Sequence, residues 1–130
     1  MAFRNVYSYL SIALGGAIGA MTRYWLSGLA EKYNSSDFPL GTLSVNIIGS
    51  FLIGVLFIVF TEKIQLVDQW RPILMIGFLG AMTTFSTFSL DALLLFQQGN
   101  YNTALFYILS SVALCLLAAF AGMQFTRLLF

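Results

Sequence analysis

The segment Phe78–Asp91 reads FLGAMTTFSTFSLD. Within an otherwise apolar stretch it holds Gly80, the hydroxyls of Thr83, Thr84, Ser86, Thr87 and Ser89, and Phe85 and Phe88 three residues apart. Two chemistries fit this pattern. A helix broken here frees carbonyls, which coordinate a cation, and begins a second half-helix whose N-terminus attracts an anion. In hydrocarbon such free backbone is tolerated only where protein or a water-filled cavity covers it. A continuous helix whose hydroxyls bond back to the carbonyls one turn earlier accommodates the same residues. Phe85 and Phe88 share a face if the second half is helical. They serve ordinary packing, or they present positive ring edges against which an anion lies without a full counter-charge.

Further polar groups stand at depth in apolar surroundings. Asn46, in GTLSVNIIGSF, must find partners for its amide or carry a cost of several kcal/mol. It acts as glue between helices or lines a wet path, with Ser50 one turn further on the same face. Arg23 and Asp91 are the charges inside apolar segments, and such groups face a bundle interior and pair. Tyr107 reaches a similar depth, followed by Ser111 and Cys115 at steps of one turn. Asp91 thus has two candidate partners, Arg23 and Tyr107.

The elements that position these groups follow from composition. The chain has 130 residues, 59% of them hydrophobic and 8% charged, where soluble domains carry about 25% charged residues. An all-α integral membrane protein of one domain, residues 1–130, is expected, with no signal peptide. There is no histidine, and the single cysteine gives no disulfide framework. No nucleophile–base pair or metal-ligand set points to an enzyme. A net charge of +1 gives no reason for a nucleic-acid partner.

Charges and turn formers divide the chain into four spans: about Val6–Leu29, Leu40–Phe60, Pro72–Phe96 and Thr103–Met123. Each is long enough to cross about 30 Å of hydrocarbon as a helix. Both termini then share a side with the Glu62–Arg71 loop. That side carries Arg4, Lys63, Arg71 and Arg127, against Lys32 and the buried Arg23 on the other. The bias puts the termini in the cytoplasm by a small margin, which leaves insertion in both orientations open. Gly15 and Gly19, Gly16 and Ala20, and Ala118 and Gly122, each four apart, with Gly41, Gly49, Ser50 and Gly54 of the second span, form small-residue seams of the kind that let helices approach closely in lipid.

The motifs GGAIGAMTRY, GTLSVNIIGSFLIG and GFLGAMTTFSTFS together resemble the Fluc/CrcB fluoride channels of microbes. The likeness runs through three spans in order, while the fourth matches loosely. It implies a dual-topology antiparallel homodimer in the cytoplasmic (inner) membrane, with two pores that export fluoride passively. It also implies a structural sodium ion on the dimer axis, held by the backbone carbonyls of Gly80 and Thr83. The resemblance places the pore asparagine at Asn46, the stacked rings at Phe85 and Phe88, and the polar track at Ser86 and Thr87, with Tyr107 and Ser111 on span four. Where Cys115 stands, family members often carry serine. The competing function is a small proton-coupled exporter of the dual-topology four-helix type. It requires a membrane-embedded carboxylate, for which Asp91 is the one candidate. A purely structural subunit leaves the hydroxyl cluster unexplained.

Overall fold

The computed structural model describes residues 5–63 and 70–130. Arg4 and positions 64–69 of the Glu62–Arg71 loop lie outside the described residues. Those described are helical, with no strand among them. Helix α1 is Val6–Lys32, and α2 is Leu40–Lys63, wound as an α-helix to Ile58 and as a π-helix from Val59. Helix α3 covers 72–82, π-helical over Pro72–Leu79 and α-helical over Gly80–Met82. Helix α4 is Phe85–Gln97 and α5 is Tyr101–Leu129.

The helix ends follow local chemistry. The Glu31 carboxylate accepts the Gly41 N–H at 2.7 Å, filling a free donor in the first turn of α2. Gly99, at φ 80°, stops α4. Its N–H donates to the Phe96 carbonyl and that of Asn100 to Leu95, a Schellman closure that only a residue tolerant of positive φ makes without strain. Pro72 stands at the first turn of α3, where its missing N–H costs nothing.

Three stretches among the described residues are long and apolar enough to cross a membrane: Leu40–Lys63, Pro72–Gln97 and Tyr101–Leu129. Helix α1 has 27 residues, but Arg23 and several hydroxyls make it more polar. Large apolar side chains face outward on every long helix, among them Leu14, Ile18, Leu93, Leu109, Leu116 and Phe120. A surface this apolar suits lipid or a protein partner, and the chain is a multi-pass membrane protein. The small buried core is Leu43, Ala92, Leu95, Ala104 and Tyr107, where α2, α4 and α5 meet.

Glycines bring alternate helices into backbone contact. A Cβ on Gly19 would collide with the Phe78 carbonyl, and one on Gly15 would lie 2.5 Å from that of Ile73, so α1 rests directly on α3. A Cβ on Gly54 would strike the Ala119 carbonyl and one on Gly122 that of Phe51, which seals α2 to α5. Gly28 faces open space. Gly54→Ala is therefore expected to destabilise the protein by about 1–3 kcal/mol through overpacking. Gly28→Ala should be neutral or better, since alanine is the stronger helix former. Melting temperatures in detergent check both, and equal behaviour of the two variants would count against the seam.

Candidate functional site

The site is built around an interruption. Helix α3 ends at Met82, and α4 begins at Phe85. Between them Thr83 (φ −85°, ψ 154°) and Thr84 (φ −150°, ψ 116°) are extended. Asn46 from α2 clamps this step. Its Oδ1 accepts the Thr84 N–H at 2.8 Å, and its Nδ2 donates to the Thr84 carbonyl at 3.0 Å. The amide thus pairs with the N–H and carbonyl of one residue, as a neighbouring strand would. Thr84 then caps α4, its Oγ1 accepting the Thr87 N–H at 3.1 Å.

These diversions have a consequence for two carbonyls. In an unbroken helix the Thr84 N–H would close on the Gly80 oxygen and the Thr87 N–H on the Thr83 oxygen. Here the first donor goes to Asn46 and the second to the Thr84 side chain. Gly80 is exposed and Thr83 half-buried. Thr83 is fixed from its other side, with its hydroxyl donating to the Leu79 carbonyl at 2.9 Å and its methyl pressed onto Gly49.

An open groove of about 410 Å³ runs along the interruption. Its walls include Asn46, Ser50, Gly80, Thr83, Thr84, Phe85, Phe88, Ser111 and Cys115, so residues far apart in the chain converge there. Among the described residues no charged side chain lines it. The Ser111 hydroxyl is buried and has no hydrogen-bond partner among the described residues. Phe85 is 77% exposed. Its ring lies 5.3 Å from that of Phe88 at an interplanar angle of 47°. Phe88 in turn lies 5.3 Å from Tyr107, and Phe38 meets Tyr107 edge-on at 88°. A ladder of tilted aromatic rings therefore leads from the groove toward the loop between α1 and α2.

The remaining expected residues are placed differently. Thr87 borders a second depression behind the interruption, with Arg23, Tyr24, Ser27, Thr42 and Thr84. Ser86 is exposed, with its Oγ 3.2 Å from Thr84 Oγ1. Tyr107 is buried rather than groove-lining, and its hydroxyl donates to Asp91 at 3.3 Å. The second donor to Asp91 is Thr42, at 2.7 Å. Of the two partners expected for Asp91, the structure selects Tyr107 and adds a hydroxyl in place of Arg23. Hydrogen bonds from two nearby hydroxyls satisfy a partly buried carboxylate without an ion pair.

Thr42 and Phe38 were not singled out from sequence. Thr42 stands one turn before Asn46, which in turn stands one turn before Ser50, so the polar stripe on α2 begins earlier than Asn46. Phe38 precedes Pro39 in a polar loop, and nothing local marks it as part of the ladder.

All the groove residues lie within 10–123, the region that matches the family described as CrcB-like protein, Camphor Resistance (CrcB). The chain belongs to the CrcB family. A relative from Magnetococcus marinus, "Fluoride-specific ion channel FluC", is 50% identical over 118 residues, covering 91% of this chain and 96% of its own. CrcB relatives of the same name from Hahella chejuensis and Saccharophagus degradans are 48% and 46% identical. They cover 91% and 92% of this chain, and 93% and 89% of their own.

Proposed function

We propose that this chain is a fluoride-selective channel of the cytoplasmic membrane and not an enzyme. Four helical spans, the third broken at Thr83–Thr84, pair with a second copy inserted in the opposite orientation to give two pores. The observation that carries this reading is the groove. It joins the rings of Phe85 and Phe88, the Ser111 hydroxyl and the clamped interruption, with no full charge among the described residues. Fluoride is small and strongly hydrated. Several weak donors replace its water without trapping it, and passage needs binding firm enough to enter and weak enough to leave. The names of the relatives and the family membership agree with this reading.

The exposure of Phe85 and Gly80 on one protomer supports the dimer, because the groove then gains its missing wall from a partner. The Gly80 and Thr83 carbonyls, relieved of their helical donors, are hard oxygen ligands of the kind sodium takes, and they would hold it. When bound, the cation supplies a fixed positive field that offsets part of the cost of an anion in low dielectric. Asn46 positions the strand that carries these carbonyls, and Thr42 and Tyr107 fix Asp91 at the end of the ladder. Fluoride that enters the cell as the neutral acid is trapped as the anion, and the membrane potential drives it out.

The test is fluoride efflux from proteoliposomes holding the purified protein. A channel releases fluoride once potassium and valinomycin balance the charge, with no proton gradient imposed. Release only under a proton gradient would replace the channel with the exporter, and no release under either condition would overturn both. Labelling of introduced cysteines from one side should find chains in both orientations.

A further inference from the structure

Two sulfur-bearing residues line the groove, and anion passage as proposed does not use them. Cys115 on α5 and Met75 on α3 both line it. Cys115 is a free thiol, partly accessible. One turn before it on the same helix stands Ser111, which lines the same groove, is 6% exposed and carries a hydroxyl without a partner. Residues bearing a thiol, a thioether and an unused hydroxyl thus line one groove, and among the described residues no lysine or arginine lines it to repel a cation.

We propose that this groove is a binding site for a soft monovalent cation, silver(I) or copper(I), seated on Cys115 with Met75 as the second sulfur donor, and that occupancy closes the ion path. Thiolate and thioether select such ions over sodium, magnesium or calcium, which take oxygen. The Cys115 thiol loses its proton to the buffer as the sulfur–metal bond forms. Met75 donates a lone pair with no proton involved, and no oxidation state changes. The volume of about 410 Å³ is ample, because one water takes about 30 Å³. A seated cation narrows the path and takes the place of the donors that fluoride needs there. The site rests on the groove's own geometry, whereas closure of the path rests on the channel reading.

Silver nitrate in chloride-free buffer is the probe, with two readouts. In proteoliposomes, micromolar silver is expected to slow wild-type fluoride efflux about tenfold, a rise in barrier of about 1.4 kcal/mol. Each variant is compared with its own untreated flux. Cys115→Ser should lose the silver response, and Met75→Leu should need about tenfold more silver for the same inhibition. In detergent, where no transport is needed, silver should protect Cys115 from maleimide labelling. Equal inhibition of Cys115→Ser would overturn the site. So would unchanged maleimide labelling under silver, or a Cys115 that no maleimide reaches in the untreated protein. If the untreated wild type releases no fluoride, the channel reading fails, and the labelling arm still decides whether the cation binds.

Discussion

Replacing Phe85 or Phe88 with isoleucine is expected to cut fluoride efflux about a hundredfold, while the protein still folds and elutes as a dimer. A hundredfold corresponds to about 2.7 kcal/mol at the barrier. Isoleucine keeps an apolar side chain but has no quadrupole, so the positive edge that an anion lies against is gone. Phe85 loses little packing within the chain, being 77% exposed with its neighbour's ring 5.3 Å away. Phe88 packs against the core and Tyr107, so its variant should also melt somewhat lower. Efflux must be measured on the same size-exclusion fractions that show the dimer. Wild-type rates in both variants would mean that the rings serve packing alone, and the assignment of the groove as the pore would fail.

Asn46→Leu is expected to be the most destabilising single change at the site. It strips both partners from the Thr84 backbone, whose N–H donates to and whose carbonyl accepts from the Asn46 amide at 2.8 and 3.0 Å. Each orphaned group costs about 1–3 kcal/mol, and two cost about 2–6. That is a large fraction of the 5–15 kcal/mol, roughly, that holds a typical protein folded. Asn46→Asp should be harmful as well. It retains an acceptor for the Thr84 N–H but sets a carboxylate oxygen against the Thr84 carbonyl. Thermal unfolding in detergent and the yield of folded protein report the effect. A wild-type melting temperature for Asn46→Leu would show that the interruption is held by other contacts.

The sequence raises the interruption as one of two readings, because the residues that allow it are local: Gly80, the hydroxyl run and the paired phenylalanines lie within a dozen positions. It also shows the apolar segments, with ends displaced. Helix α1 continues from the expected Leu29 to Lys32, and α5 extends from Tyr101 to Leu129 around the expected Thr103–Met123. Hydropathy marks the apolar centre of a helix, whereas backbone hydrogen bonding carries it a turn further into polar flanks. Long-range partners stay hidden. Nothing local says that Asn46 takes the main chain of Thr84 rather than a side chain. Arg23 and Tyr107 are both candidates for Asp91 from sequence, and nothing local decides between them. Packing instead set the Thr42 and Tyr107 hydroxyls beside the carboxylate and left Arg23 bordering the depression that Thr87 also borders.

The glycine seams set an order of assembly during synthesis. Gly15 and Gly19 of α1 fit against Ile73 and Phe78 of α3, and Gly54 of α2 fits against Ala119 of α5. Neither closest seam joins helices adjacent in the chain. When α1 and α2 have left the ribosome, the glycine face of each is still bare, and a nascent chain halted there has only half of each joint. The first seam closes once α3 emerges, and the second waits for nearly the last residues. A chain cut before α5 would leave α2 without its complement, exposed to quality-control proteases. Truncation near the C-terminus should therefore deplete the whole protein rather than trim it.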